Sequence, residues 1–361
     1  MGCFCSQYQR LFAALIIVVY STIDQTAFAL NQVNQDNAHA AILVYHHVSS
    51  NTPPATSVSV EQFESHLNYL SDNHTVVPLG EIVNHLKSGT ELKQRAIAIT
   101  FDDGYRNILD NAHPLLTKYA MPYTVFINPT LIGKQPNQLN WAQIKDMSKQ
   151  GVIFANHTSD HQHILARATT ENDQQWITRV LADIDVAERL IQQQLGYSLK
   201  WLAYPYGEYN LLLKDTLVKQ GYIGLGQQSG AVSYNSDFGA LPRFPAAGLY
   251  ANLATLKIKM ASLAMPIISA PHEPLRGLHQ QPKIVLRLDI RKLKPSQVTC
   301  FYNSKPVPLL LTEETVSFVF PKPLKVGRSR VNCTAPSRQQ GRFYWYSQAF
   351  VVPTQDGVFI D

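Results

Sequence analysis

The chain has 361 residues, 45% hydrophobic and 16% charged, with a formal net charge of +5. That is ordinary globular composition, long enough for one large core and a smaller second one, and it excludes a disordered or low-complexity chain. The charge is uneven: from residue 275 onward 13 Lys and Arg stand against 5 Asp and Glu, a net of +8, and the rest of the chain carries −3.

The N-terminus has Arg10, the apolar run "LFAALIIVVY" and then "TAFAL" with small residues at Ala27 and Ala29. This pattern predicts a secretory signal peptide over residues 1–29, cut after Ala29. The run is short for a membrane span, and an uncleaved anchor is the alternative. Export would place the mature chain in the periplasm or outside the cell, associated with the envelope. Cys3 and Cys5 would leave with the signal, so only Cys300 and Cys333 remain. One cysteine pair in an oxidising compartment predicts one disulfide, with two buried thiols as the alternative.

Residues 30–262 alternate strand-like and helix-like segments. "AAILVYHHV" reads as a strand, and "EQFESHLNYLSDN" carries Phe63, Leu67 and Leu70 at helical spacing. The strands "AIAITF", "YTVFIN", "VIFAN", "WLAYPY" and "YIGLG" follow in turn. Helices over "NILDNAHPLLTKYA" and "WAQIKDMSKQ", a long amphipathic helix over 172–195 and a helix reaching about residue 220 lie between them, and "ALPRF" comes last. Such alternation predicts parallel strands covered by helices, as a barrel or an open sheet. Residues 263–274, "LAMPIISAPHEP", read as a Pro-punctuated linker. Residues 275–361 hold short β-rich runs separated by Pro, Gly and Asn, with no helical pattern, which predicts a β-sandwich of about seven strands.

Several of the earlier strands end in polar residues. "ILVY" runs into His46 and His47, "IAITF" into Asp102 and Asp103, "VIFAN" into His157-Thr-Ser-Asp-His161, and "WLAYPY" into Gly207 and Glu208. In α/β folds the C-terminal ends of the strands share one edge, so these groups can converge. Two adjacent carboxylates repel each other, and burial makes the repulsion worse, so a cation should offset it. Gly104 can break the strand and turn both carboxylates into one mouth. His157 and His161, four apart at the start of a helix, would put both rings on one side. One Asp and two His suit a divalent metal with open positions, and the spare Asp can accept a proton.

TFDDG at 100–104 and H-[ST]-x-x-H at 157–161 together resemble the first two motifs of the polysaccharide deacetylase family with its NodB-like domain, over roughly residues 40–250. The resemblance implies an irregular (β/α) barrel of fewer than eight strands, here followed by the small all-β sandwich. It implies Asp102 as catalytic base, Asp103, His157 and His161 as ligands of one divalent ion (zinc first, with cobalt, nickel or iron as alternatives), and hydrolysis of N-acetyl groups on an aminosugar polymer. The third motif usually reads R-x-P-[FY]. The matching run here is Ala203-Tyr204-Pro205-Tyr206, without the arginine, and Arg243 in "LPRF" is the candidate replacement. The late L-x-H acid has no convincing copy; His279 in "GLH" falls after the linker.

"LVYHHV" and "YPYGE" are similar to the rearranged subgroup of poly-β-1,6-N-acetylglucosamine N-deacetylases, where a histidine after an N-terminal strand is the acid. That implies His46 as the acid, with His47 as the alternative. Tyr204 and Tyr206 are then candidates to wall the mouth, and a backbone N–H near Tyr206 to hold the oxyanion. The implied partner is an acetylated polysaccharide. The basic C-terminal segment suits an anionic polymer, an envelope surface or a protein partner, and no nucleic acid is expected. Competing readings are an O-deacetylase on acetylated glycans, a silent glycan-binding protein, and a non-haem iron oxygenase; the spare Asp102 argues against the last.

Overall fold

A computed structural model describes residues 38–269, 272–320 and 322–360. The expected signal peptide, residues 1–29, lies outside the described residues.

The first part of the chain folds around a nine-stranded sheet. Its path runs Ala231–Ser233, His39–Tyr45, Ala96–Phe101, Tyr123–Ile127, Ile153–Asn156, Trp201–Ala203, Ile223–Leu225. From His39–Tyr45 to Ile223–Leu225 every neighbouring pair is parallel, and Ala231–Ser233 joins antiparallel. Phe244–Pro245 adds to His39–Tyr45 in parallel, which brings the end of this region back beside its beginning. The result is a curled, incomplete (β/α) barrel.

Alternation along the strands explains the curl. Leu43, Tyr45, Ile99, Phe101, Val125 and Phe154 face outward and pack on Phe63, Leu67, Ile108, Leu116 and Ile144 of the covering helices. The opposite positions are small: Ala40, Ala96, Ala98, Ala155 and Ala203 line the inner face with Ile42, Phe126 and Leu225. Helix Leu79–Ser88, with Ile82, Val83 and Leu86, fills that side. Small residues on the concave face and large ones on the convex face let the sheet bend without leaving voids. Asn172 caps the long helix Asp173–Leu195 by accepting from the Gln175 amide.

The C-terminal part has a five-stranded sheet and a three-stranded sheet. The larger is built on Gly327–Pro336 and Phe343–Val352, the smaller on Lys283–Arg287 and Thr315–Val319. Ile284, Leu286, Phe318, Phe320, Val331, Cys333 and Phe350 form the core shared by these strands. The segment expected as a linker contributes to this sheet: Leu263–Ala264 pairs with Tyr344 and Trp345. Trp345 in turn meets Phe244 edge-on at 5.6 Å, and Arg342 donates to the carbonyls of Ala261 and Ser262. The two parts therefore share a packed contact.

Cys300 and Cys333 sit directly opposite each other on adjacent strands and are joined, with Cα atoms 4.0 Å apart and a sequence separation of 33. On the chain-entropy view, closing such a loop stabilises by about 3–4 kcal/mol. Cys300→Ser should lower unfolding stability by roughly that amount, read from denaturant titration. Peptide mapping of unreduced protein should recover the two cysteines as one cross-linked peptide; two free thiols would refute the pairing.

Candidate active site and metal centre

The site is assembled at the C-terminal edge of the parallel strands. Strand Ala96–Phe101 ends at Asp102, whose amide still donates to the Tyr45 carbonyl at 3.0 Å. Asp103 and Gly104 then both take positive φ, 71° and 67°. This pair of left-handed residues turns the chain so that the second carboxylate faces the same mouth as the first. A side chain at Gly104 would meet Ile127 Cγ2 at 2.9 Å, so the turn needs glycine for space as well as for φ.

Each carboxylate has its own partners. Asp102 is fully buried and held bidentately by Arg243, with Nη1 on Oδ1 at 2.7 Å and Nη2 on Oδ2 at 2.8 Å. Arg243 is itself fully buried; its Nε donates to the Gly226 carbonyl at 2.9 Å, and Nη1 reaches Thr100 Oγ1 at 3.3 Å. Burial pushes the Asp102 carboxyl up, but Arg243, with His157 and His46, more than reverses this and holds it below the usual carboxylate range. His46 Nε2 lies 4.0 Å from Asp102 Oδ2, on a partly exposed ring.

Asp103 faces the two histidines. Its Oδ1 lies 3.2 Å from His157 Nε2 and 3.3 Å from His161 Nε2. His157 is buried, and its Nδ1 lies 2.7 Å from the Ala203 carbonyl. A carbonyl only accepts, so Nδ1 carries a proton and Nε2 is the atom turned toward Asp103. Burial acts against charge on this ring, but Asp102, Asp103 and the Ala203 carbonyl outweigh it and raise its pKa. Nε2 and Asp103 Oδ1 are buried without a hydrogen-bond partner in the protein. Burial acts against charge on Asp103, yet His157, His46 and His161 outweigh it and hold the carboxyl well below the usual range. Burial, then His157, push His161 down to about 4, which leaves it neutral near pH 7. The three ligand atoms lie within 4.8 Å of one another. Two imidazole lone pairs and one carboxylate oxygen converging on one point fit a divalent cation.

The histidines do not reach this arrangement through a helix, as the four-residue spacing predicted. Residues 157–161 are an irregular loop, and the next helix begins at Asp173. Thr158 and His161 take φ of 67° and 62°, and these two left-handed residues bring the rings to 4.9 Å. The loop is pinned from below. Asn156 Oδ1 accepts from the Thr158 amide at 2.8 Å while its Nδ2 donates to Glu188 at 2.7 Å, Ser159 bonds Asp183, and Asn128 donates to the His157 carbonyl.

The other candidates divide clearly. Tyr206 (φ 57°) places its ring 4.5 Å from that of His161. Tyr204 does not line the mouth: it is fully buried, stacks on Tyr209 at 5.1 Å and donates to the Gly239 carbonyl at 2.7 Å. Tyr204 continues onto the helix-covered side with Leu202, and the left-handed turn at Tyr206 sends the second ring away from the face it would otherwise share. His47 is buried, stacks on Tyr105 at 3.7 Å and accepts from Asn107 Nδ2 at 2.9 Å. Burial, then His46, push it down to about 4, so it packs as a neutral ring. His279 is exposed. Reasoning from the sequence missed His163 and gave Glu208, placed among the strand-end groups, no partner: the buried Glu208 carboxylate lies 3.0 Å from His163 Nδ1, and His163 stacks on Tyr206 at 4.1 Å. The signal for them was the repeat of histidine two residues beyond His161 and the acid closing "YPYGE".

A polysaccharide deacetylase family model matches residues 89–224. The chain is 30% identical over 209 residues to the putative polysaccharide deacetylase YxkH of Bacillus subtilis, covering 57% of this chain and 71% of that protein. It is 29% identical over 207 residues to the poly-β-1,6-N-acetyl-D-glucosamine N-deacetylase of Staphylococcus aureus, covering 55% and 71%. The Streptococcus pyogenes deacetylase PplD in complex with acetate shares the fold, with a TM-score of 0.55 at 21% identity over 62% of this chain and 98% of that one.

Three variants test the site. Arg243→Met should leave a buried, unpaired Asp102 and lower stability of the metal-free protein by about 3–5 kcal/mol near pH 7. In the wild type the depressed carboxyl contributes stability above its unfolded pKa and loses it as pH falls. In the variant burial raises it with only His157 and His46 left to oppose, so the deficit should narrow as pH falls below about 4, where the carboxyl becomes neutral in the folded and the unfolded variant alike. A deficit independent of pH would contradict the pairing. Asp103→Ala or His161→Ala should abolish stoichiometric zinc in elemental analysis; full occupancy in both would remove the ligand assignment.

Proposed function

Because this chain belongs to the polysaccharide deacetylase family, and is thereby a carbohydrate deacetylase, we propose that it is an exported, metal-dependent hydrolase removing N-acetyl groups from a poly-N-acetylglucosamine-like polymer. The observation that carries this is one mouth holding three kinds of group at once. The Asp103–His157–His161 ligand atoms suit a cation, Asp102 is a clamped carboxylate beside them, and His46 Nε2 lies 4.0 Å from Asp102. The N-acetyl preference is supported by the named activity of the Staphylococcus aureus relatives.

Asp103, His157 and His161 would hold a divalent ion, with zinc first and cobalt, nickel or iron as alternatives. Such an ion supplies Lewis acidity, polarising a carbonyl and making water more acidic. Asp102 then takes the proton of the attacking water. Arg243 keeps that carboxylate ionised and fixed in orientation, so no reorganisation is needed when the proton arrives. The Tyr206 turn brings a backbone N–H toward the developing oxyanion. His46, across the mouth, gives its proton to the leaving amine. The oxygenase reading leaves the Asp102–Arg243 pair without a task, and a silent binding protein has no use for a base held ionised in a buried place.

Export is proposed on the N-terminal pattern of the sequence and on the joined cysteines, which suit an oxidising compartment. No helix among the described residues is long and apolar enough to cross a membrane.

Acetate release by the zinc-loaded protein should be seen on β-1,6-linked N-acetylglucosamine oligomers and should stop on chelation. Release from acetylated xylan with none from the amide substrate would instead assign an esterase, and no release from either would sink the reading. His46→Ala should lower kcat by at least about a hundredfold, the scale of general acid catalysis, with zinc content unchanged. His47→Ala should leave turnover near that of the wild type. Reversal of these two effects would put the acid one residue later.

A further inference from the structure

We infer that Arg328, on the C-terminal sheet, is a positioning residue of the deacetylase site, acting through the Tyr206 turn. The inference rests on the function proposed above.

Tyr206 is a non-glycine residue in the left-handed region (φ 57°, ψ 4°), and Gly207 follows with φ 70°. Two successive left-handed residues make a strained turn that the surroundings must hold. One side is closed by Gln227, whose Cβ would stand 2.8 Å from a Cβ built on Gly207. The other support comes from outside the barrel. Arg328 Nη1 donates to the Tyr206 carbonyl at 2.8 Å, and its guanidinium carbon lies 5.4 Å from the centre of the Tyr206 ring. A guanidinium can bond the carbonyl and lie over the ring at once, because its donors and its plane are rigidly related.

The C-terminal segment supports the same turn a second time. The Tyr206 ring stacks on His163 (4.1 Å, 14°), and Phe359 stacks on the His163 ring (6.0 Å, 26°). Buried Glu208 holds His163 through Nδ1. The turn then faces the site directly, with the Tyr206 ring 4.5 Å from His161. Arg328 is placed by a strand that cannot drift. It pairs with Val351 in a ten-residue ladder, Val351 also bridges Leu275, and the Cys300–Cys333 bond lies on the same strand.

A contact that fixes the oxyanion-facing turn should act on the rate and leave binding and metal alone. Full-length Arg328→Ala, loaded with zinc, should lose roughly tenfold in kcat on N-acetylglucosamine oligomers, less than removal of an oxyanion donor outright. KM, zinc content and thermal midpoint should stay at wild-type values, and Arg328→Lys should restore part of kcat because an ammonium still donates to the carbonyl. Hydrogen exchange gives a readout free of activity. Peptides spanning 204–209 should exchange faster in Arg328→Ala, and those spanning 96–101 should not. Wild-type kcat in the alanine variant, unchanged exchange at 204–209, or a loss of kcat matched by losses of zinc and thermal midpoint would each overturn the inference. If the wild type releases no acetate from any glycan, the functional reading fails, and the exchange comparison still decides whether Arg328 holds the turn.

Discussion

The bidentate pairing of Asp102 with Arg243 is the constraint on which the rest depends. Two carboxylates side by side at the end of a buried strand are untenable unless each is answered separately. Asp102 is answered by a fixed guanidinium, two of whose other donors go to the Gly226 carbonyl and Thr100. Asp103 is answered by lone pairs that themselves call for a cation. The two partners of the fixed pair are 141 residues apart. They meet only because Phe244–Pro245 returns to lie along His39–Tyr45, itself paired with Ala96–Phe101. The buried charge can be neutralised only once the barrel has curled. Fold and site are therefore thermodynamically one object: a chain that fails to bring Arg243 home would bury an unpaired charge.

The site's geometry rests on backbone that L-residues avoid. Asp103, Thr158, His161 and Tyr206 all have φ between 57° and 71°. Each lies just past a strand end, where the chain must reverse its direction within a residue or two to aim a side chain back over the sheet edge. Such conformations persist only when the surroundings over-determine them. Asn156 shows how: one amide side chain accepts from the Thr158 backbone and donates to both Glu188 and the Ile184 carbonyl. The strain sits at the ligand-bearing turns, and hydrogen bonds to the rigid strands and to helix Asp173–Leu195 offset it.

Most of the parallel sheet was legible because buried parallel strands leave continuous apolar runs, and strands such as Ala96–Phe101 and Tyr123–Ile127 are of that kind. The convergence of polar groups at one edge was legible for the same reason: parallel strands end together. What the sequence did not disclose was conformation after the strand ends. HTSDH has helical spacing, and only the left-handed Thr158 and His161 show that a loop does the work instead. Tyr204 and Tyr206 look equivalent as letters, yet one packs under the covering helices and the other faces His161. The role of Arg243 was legible only as a gap, an arginine missing from its usual motif, since pairing across 141 residues leaves no local trace. The strand Leu263–Ala264 was hidden within a Pro-punctuated stretch because two-residue strands carry no periodicity.

The charge balance of the mouth follows from the same pairing. Asp102 and Arg243 cancel, and His47 and His161 are kept neutral near pH 7 by burial and by a neighbouring histidine. Asp103 is left to His157 and His161, and against burial Asp102 and Asp103 raise the pKa of His157. Deacetylation of an aminosugar turns a neutral amide into an amine that is protonated in water. Under the proposed function, a mouth whose carboxylates are both engaged, Asp102 by Arg243 and Asp103 by the histidines or a bound cation, offers neither freely to the ammonium product. The guanidinium of Arg328 over Tyr206 adds positive charge on the same side. Had Asp102 lacked Arg243, two carboxylates would face the product amine and hold it. The buried arginine that makes the doubled aspartate tolerable in the fold would thereby, under the proposed function, also remove one charge that could hold the product.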